Sequence, residues 1–508
     1  MMKHIFLYGP PGSGKSSIGK ALAHNLRLPF VDLDCEIEKF VGKTITQIMN
    51  ERGESAFRDL ELAALENVAG EEKSVVALGG GTLLRDENRT IAESSGKIVL
   101  LTANFETLLK RLSADPEKRP LLAGDLHGKL SALLAKRNGH YASFPIQLNV
   151  DGKPIEQNAR RLQIVLGRHH LSAMGEYDVI VGQVRNLTNF PMQNLIIMTD
   201  ENVAKLHLEK IKSILAVSGI EPKHIVLPAG EDHKNLETVS LLWKTFLENE
   251  LDRKSTVIAL GGGVIGDMAG FAASTYMRGI DWICLPTTLL AMVDSSLGGK
   301  TGFDLPEGKN LIGSFHPPKL VLSDVEFLKT LPDEELISGM AEVVKHGIIS
   351  DPELFYLCSR GLDYIKNNLE EIVKRAMAVK IKIIEDDPYE KGFRGALNLG
   401  HTVGHAVELV SGFQLRHGEA VAIGTVAEAK LAESLTVAAK GLSEAVAESL
   451  SALGLPIQIP KELPREEIVR AMKVDKKKNA KAIRFALPVE IGRVELVDVT
   501  DLESILDE

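Results

Sequence analysis

The sequence predicts an α/β protein of more than one domain, on three observations. Short apolar runs alternate with helix-spaced patterns over residues 1–325, a glycine-rich loop follows an apolar run in each of two separate stretches, and helical periodicity alone continues beyond Asp324. Strands separated by helices imply parallel pairing with right-handed crossovers. At 508 residues the chain also exceeds what one hydrophobic core supports.

The first series of strands is expected at Ile5–Tyr8, Phe30–Leu33, Val75–Leu78 and Ile98–Leu101, closed by a helix over Ile155–Leu166. A fresh strand begins at Tyr177 after Arg168-His169-His170, which sets a boundary near residue 170. Runs at Leu195–Met198, His224–Leu227, Thr256–Leu260 and Trp282–Leu285 define a second α/β region, 171–325. Glu334–Ile349, Leu369–Glu385, Val403–Val410 and Ala420–Ala438 carry apolar residues at helix spacing, so 326–508 is expected to be all-helical.

A formal charge of -10 argues against a nucleic-acid partner, which would call for a broad basic face, but leaves room for local basic pockets. Three cysteines without Cys-x-x-Cys spacing indicate neither a disulfide framework nor a thiolate metal site. The first residues leave no room for a signal-peptide core and nothing reaches the length of a membrane span, so no membrane partner and a cytoplasmic location are expected.

Gly9-Pro10-Pro11-Gly12-Ser13-Gly14-Lys15-Ser16 matches G-x-x-x-x-G-K-[ST] between an apolar strand and a helical run, with Ser17 following. Glycines let backbone N–H groups turn in around phosphate oxygens, Lys15 reaches the outer phosphates, and the Ser16 hydroxyl ligates Mg²⁺. Asp32 and Asp34 close the second strand two residues apart, a spacing that projects both from one side. With Arg58 and Gly79-Gly80-Gly81 they suggest a site for a small polyol bearing a carboxylate.

These residues resemble those of shikimate kinases over about residues 1–150. The resemblance implies ATP with Mg²⁺, Asp34 as base and grip on the ring hydroxyls, and Asp32 as the acid beside Mg²⁺. It also implies Arg58 and Arg137 as the carboxylate clamp, Gly80 and Gly81 as pocket lining, and Arg119 as a lid arginine over ATP.

In the second half, Leu260-Gly261-Gly262-Gly263 opens a helix where a dinucleotide pyrophosphate could approach backbone N–H groups, although it is not the G-x-G-x-x-G fingerprint. Asn398, His401 and His405 stand at i, i+3 and i+7, the spacing of one helix face, with His417 before the next helix and Glu342 and Lys345 sharing another face. A carboxylate and two imidazoles with open positions have the composition of a catalytic zinc site.

Residues 175–500 resemble 3-dehydroquinate synthases, so the resemblance implies NAD⁺, Zn²⁺ or Co²⁺, and a heptulosonate phosphate substrate. It implies cofactor contacts from Asp200, Asn202, Glu231, Lys234, Gly262, Val264, Ile265, Asp267, Thr287, Thr288 and Lys309. The resemblance implies substrate contacts from Asp294, Lys300, Asn310, Lys345, Lys380, Arg394, Asn398, His405 and one of Lys476 or Lys477, with catalytic roles for Lys345, His405, Arg394 and Asn398 beside Lys15 and Asp34 in the kinase half. Metal ligands are implied at Glu342, His401 and His417.

The implied fold is thus a P-loop kinase with a parallel sheet, then a two-lobed synthase with a Rossmann-like NAD lobe and a helical metal lobe, able to pair as a homodimer. The alternatives are a small-metabolite kinase or nucleotide switch fused to a metal-dependent alcohol or glycerol dehydrogenase, or one half kept as a binding module. The arginine pair and the many cations around the metal argue against them.

Overall fold

A computed structural model describes residues 4–114, 125–474, 482–502 and 505, and the chain divides into two compact units, Met1–His170 and Leu171–Glu508. Arg119, Lys476 and Lys477 lie outside the described residues.

The first unit is built on a five-stranded parallel sheet. Its central strand, His4–Tyr8, is buried along its whole length. Side chains alternate across a strand, so Ile5 and Leu7 enter one core with Ile18, Leu22, Leu162 and Leu166, and Phe6 and Tyr8 enter another with Leu33, Ile37 and Leu65. This strand lies between Val75–Ala77 and Gly96–Thr102, with Phe30–Asp32 beyond the former and Gln147–Asn149 beyond the latter. The loops after His4–Tyr8, Phe30–Asp32 and Val75–Ala77 therefore leave from one edge of the sheet, where ligands of open α/β folds bind.

In the second unit six parallel strands run in the order Tyr177–Val181, Leu320–Ser323, Asp281–Pro286, Thr256–Gly261, Leu195–Asp200 and Lys223–Leu227. Leu320–Ser323 was too short a run to register in the sequence; it is buried on both faces, where alternation gives no signal. A hairpin, Lys300–Leu305 with Gly308–Phe315, packs on this lobe, with Phe303 buried against Val239 and Phe271.

The helical lobe centres on Asp333–Ser350, buried almost all round from Leu336 to Ile349, among Leu369–Asp386, His401–Val410 and His417–Ser434. It also holds an antiparallel hairpin, Ile483–Glu490 with Arg493–Val499, that the all-helical expectation did not include. Phe485 and Leu487 of that hairpin share a core with Val403, Val407 and Ile423.

Candidate functional sites

The loop Gly9–Lys15 needs glycine at 12 and 14, where φ is 81° and 90°, and the helix that follows begins at Lys15. Lys15 Nζ donates to the loop's own carbonyls, Gly9 O at 2.9 Å and Pro10 O at 3.1 Å. The lysine is thus held at the loop rim, the place from which it can exchange carbonyls for phosphate oxygens. Ser16 Oγ donates to Asp32 Oδ2 at 2.6 Å, which sets a hydroxyl and a carboxylate side by side for a hard cation.

The strand expected through Leu33 ends at Asp32, and Asp32 caps a helix, Leu33–Val41, by accepting from the Cys35 N–H. Asp34 therefore sits in the first helical turn, and the two carboxylates are not successive same-side residues of a strand. The correction has a local cause: an aspartate at a strand end starts a helix readily because its side chain satisfies an otherwise unpaired N–H.

Asp34, Arg58, Gly79, Gly80, Gly81 and Arg137 line the same cavity of about 850 Å³ as Lys15 and Ser16. Arg58 is anchored by Glu61, whose carboxylate is fully buried, and by Glu54 at 2.9 Å. A Cβ at Gly81 would lie 2.7 Å from Arg58 Nη2, so glycine there lets the guanidinium rest against bare backbone. Arg137 Nη1 donates to Gly80 O at 2.7 Å, beside the Tyr141 hydroxyl on the same carbonyl. Two guanidinium groups thus face one loop, a geometry suited to a carboxylate. Glu61 was not singled out in the sequence, although its i+3 spacing from Arg58 was a signal for it.

In the second unit, Gly262 precedes the helix Gly263–Thr275, and Thr287 N–H donates to Gly261 O at 3.0 Å, with Thr288 against Gly262. Val264 and Ile265 lie in the first helical turn and Asp267 in the next. Lys234 Nζ pairs with Asp267 Oδ2 at 2.7 Å and stands 3.9 Å from Glu231. Asp200 ends a neighbouring strand and accepts from the N–H groups of Asn202 and Val203. These residues gather at one sheet edge. Lys309 lies on the hairpin, where it pairs with Glu408 of the helical lobe at 3.2 Å; burial pushes the Glu231 carboxyl up, and the charges of Lys234 and Lys309 oppose that push. Asn310 is on the same hairpin, its N–H on Asp304, and Lys300 pairs with Glu390 at 2.6 Å.

Glu342, His401 and His417 come together, with one donor atom from each lying within 4.8 Å of the others. His401 Nδ1 faces the Leu399 carbonyl at 3.1 Å, and His417 Nδ1 faces Glu408 Oε2 at 3.3 Å. Both acceptors require an N–H at Nδ1, which turns each Nε2 toward Glu342 Oε1, at 3.4 Å and 3.7 Å. Two nitrogen lone pairs and a buried carboxylate oxygen converging in this way fit a borderline-soft divalent ion. Burial drives His401 down to about 3, so it is held neutral. Burial also opposes charge on His417, yet Glu342 and Glu408 on either side carry it up to about 9, so without an ion Nε2 holds a proton against Glu342, and a binding cation displaces that proton to reach the lone pair.

Asn398 does not share a helix face with His401 and His405. It ends a 3₁₀ turn, Gly400 takes φ 77°, and the helix begins only at His401. Buried Glu428 enforces the break by accepting from the N–H groups of Gly400 and Val403. The rest of the cluster surrounds the ligand set. Lys345 pairs with Glu342 and donates to Leu397 O at 2.8 Å, while Lys380 Nζ donates to Asp294 Oδ1 at 2.6 Å. Arg394 lies against Gly298, where a Cβ would meet its Nη2 at 2.9 Å, and the His405 ring is 4.9 Å from that of His401. Two residues the motifs did not flag, Glu408 and the fully buried His346, also border this site.

Glycines bring the His417–Ser434 helix against the start of the His401 helix and against the Glu342 helix. A Cβ at Gly424 would lie 2.0 Å from Gly400 O, and one at Gly418 would lie 1.8 Å from Ser338 O. Backbone cannot yield as a side chain tip can, so Gly424→Ala is expected to cost about 3 kcal/mol, the upper end of ordinary overpacking. Urea unfolding of the variant checks this.

A phosphate-cradling loop facing a carboxylate-and-arginine cavity defines the first unit as a small-metabolite kinase, and a two-lobed fold with a cationic Glu-His-His centre defines the second as a dinucleotide- and metal-type synthase. Residues 224–338 match the 3-dehydroquinate synthase N-terminal family, 339–478 the 3-dehydroquinate synthase C-terminal family, and 11–166 the shikimate kinase family. The chain is 46% identical over 313 residues to a 3-dehydroquinate synthase of Nostoc punctiforme, covering 60% of this chain and 86% of that one. With that of Prochlorococcus marinus it shares 41% over 374 residues, 71% of this chain and 98% of the other. Among solved structures, 2-deoxy-scyllo-inosose synthase complexed with carbaglucose-6-phosphate, NAD⁺ and Co²⁺ aligns at TM-score 0.61 and 25% identity, covering 66% of this chain and 98% of that one. A 2-epi-5-epi-valiolone synthase from Streptomyces hygroscopicus with NAD⁺ and Zn²⁺ bound aligns at 0.59 and 29%, covering 65% and 94%.

The chain belongs to the 3-dehydroquinate synthase family and carries a shikimate kinase domain in front of it, which makes it a bifunctional enzyme of the shikimate pathway.

Proposed function

We propose that the first unit transfers the γ-phosphoryl group of Mg²⁺-ATP to shikimate, and that the second converts 3-deoxy-arabino-heptulosonate 7-phosphate to 3-dehydroquinate and phosphate. The first reading is carried by one cavity that holds Lys15, Ser16, Asp34, Arg58 and Arg137 together. The Gly12–Ser17 backbone and Lys15 bind the phosphates, Ser16 and Asp32 hold Mg²⁺, and Arg58 and Arg137 clamp the carboxylate. Asp34 takes the proton from the attacking hydroxyl. Arg58→Ala is expected to raise the KM for shikimate well above any change in the KM for ATP, because Arg58 rests against Gly81 and on Glu61 and Glu54, whereas Lys15 and Ser16 serve the phosphates. A larger effect on ATP would overturn the clamp.

The second reading is carried by the convergence of Glu342, His401 and His417 among Lys345, Lys380 and Arg394. When bound, Zn²⁺ or Co²⁺ would polarise the oxygen of one substrate hydroxyl, and NAD⁺ would take up and later return a hydride at the carbon that bears it. The lysines and Arg394 neutralise the carboxylate and phosphate, with Asn398 and His405 positioned at the same centre and Lys300 and Asn310 completing the substrate contacts. The glycine-rich loop at Gly262, with Thr287 and Thr288, receives the pyrophosphate, and Asp200, Asn202, Glu231, Lys234, Val264, Ile265 and Asp267 frame the rest of the cofactor. Supplying each substrate separately to the purified chain and following ADP and inorganic phosphate tests both halves; failure of either product to appear removes that half of the reading.

We further propose a cytoplasmic enzyme that pairs as a homodimer through the synthase unit. Cys35, Cys284 and Cys358 are free thiols, which suits a reducing compartment, and no helix among the described residues is long and apolar enough to cross a membrane. The hairpin residues Leu311 and Phe315 are exposed apolar surface that a second copy could cover. Sedimentation at the mass of one 55.3 kDa chain would exclude the dimer.

A further inference from the structure

We propose that Glu408 is the positioning residue that orients His417 toward the metal, and that Lys309 acts on the same ring through Glu408. The inference rests on the reading of Glu342, His401 and His417 as metal ligands. Glu408 lies on the helix His401–Val410, two turns along from His401 and one from His405, with its side chain 11% exposed. Its two oxygens have different partners: Oε2 is 3.3 Å from His417 Nδ1, and Oε1 is 3.2 Å from Lys309 Nζ. An ionised carboxylate can only accept, so His417 keeps its proton on Nδ1 and directs Nε2 toward Glu342. A carboxylate behind a metal-binding imidazole fixes the ring's tautomer and orientation and makes the nitrogen a better donor to the ion.

Lys309 extends the chain of contacts into the other lobe. It sits on the hairpin Gly308–Phe315, and its ammonium lies 4.5 Å from the centre of the Phe413 ring as well as on Glu408. An ion pair that merely tied the lobes together would account for Lys309 and Glu408 but gives no reason for the second oxygen to meet His417. Hairpin, lysine, carboxylate, imidazole and metal position thus form one continuous line, so the hairpin's placement bears on the strength of the metal site.

The test is Zn²⁺ affinity of the full chain, by competition with a chromophoric chelator. Glu408→Gln is expected to weaken Zn²⁺ binding about 10- to 100-fold, the usual cost of losing such a partner. Lys309→Met should weaken it less, and the double variant should bind no more weakly than Glu408→Gln alone, because Lys309 works through Glu408. Lys309 is 44% exposed, so its removal spares the fold and keeps the inference testable should Glu408→Gln fail to fold. With Co²⁺ in place of Zn²⁺, the visible absorption bands should shift in Glu408→Gln, a change that a purely structural role would not produce. Wild-type Zn²⁺ affinity in Glu408→Gln, or additive losses in the double variant, would overturn the inference while leaving the metal site intact. His417→Ala with wild-type affinity would instead overturn the metal reading itself.

Discussion

Lys15→Met is expected to lower ATP-dependent phosphorylation of shikimate by about 10²- to 10³-fold, the scale of losing one group that stabilises transition-state charge, and to leave phosphate release from the heptulosonate substrate unchanged. The transferring phosphoryl group gives the protein little covalent work, so catalysis there depends on position and charge. Lys15 supplies a mobile charge: its ammonium is already within the loop on Gly9 O and Pro10 O. Methionine keeps the length and the apolar stem but brings no charge, while the N–H groups of Gly12 to Ser17 still cradle phosphates. ATP binding should therefore fall less than turnover. The groups proposed for the synthase reaction all belong to the other compact unit. Measuring ADP and inorganic phosphate with each substrate supplied alone separates the two activities, and an equal fall in both by a folded variant would refute the two-site reading.

The parts of this molecule that were legible in the sequence are those where local rules and tertiary structure agree. His4–Tyr8 is apolar because both of its faces are buried, and the loop after it repeats glycine where φ is positive. Ile155–Leu166 reads as a helix in both accounts because its apolar stripe meets a core at every turn. Failures occur where a single side chain or backbone break redirects the chain. Asp32 turns a strand into a helix by capping it, and Gly400 with Glu428 cuts Asn398 away from the helix that its spacing predicted.

At the candidate sites, charged and metal-type residues were readable from their motifs, whereas their supporting residues were not. Glu61 behind Arg58 and Glu408 behind His417 are acidic residues on helices, a pattern shared with many solvated faces. Spacing held a clue in each case, since Glu61 is one turn from Arg58 and Glu408 one turn from His405. Only burial tells such a carboxylate from its exposed neighbours, and burial depends on helices remote in sequence. Lys309 shows the same limit from the opposite side: its motif gave a charge for the cofactor, but its ion-pair partner Glu408 comes from another lobe.

Dialysis against a chelator, followed by assay in excess free Mg²⁺, is expected to abolish 3-dehydroquinate formation while shikimate phosphorylation persists, and added Zn²⁺ should restore the lost activity. Mg²⁺ prefers oxygen ligands, holds its waters tightly and suits the Ser16 hydroxyl and Asp32 carboxylate. The second centre offers two Nε2 atoms and one carboxylate oxygen, a set that favours Zn²⁺ or Co²⁺ over Mg²⁺. Excess Mg²⁺ therefore supports the first unit without substituting in the second. His401→Ala and His417→Ala should each reproduce the chelated state, lowering Zn²⁺ affinity by more than the roughly 100-fold typical of an outer partner. Neither should unfold the chain, because the apolar core beneath His401–Val410, built on Val403, Val407 and Ile423, is untouched by either change. Full synthase activity in a demonstrably metal-free chain would remove the metal from the reaction. NADH accumulating in step with turnover would mean that the hydride is not returned, and would assign the second unit to the dehydrogenases instead.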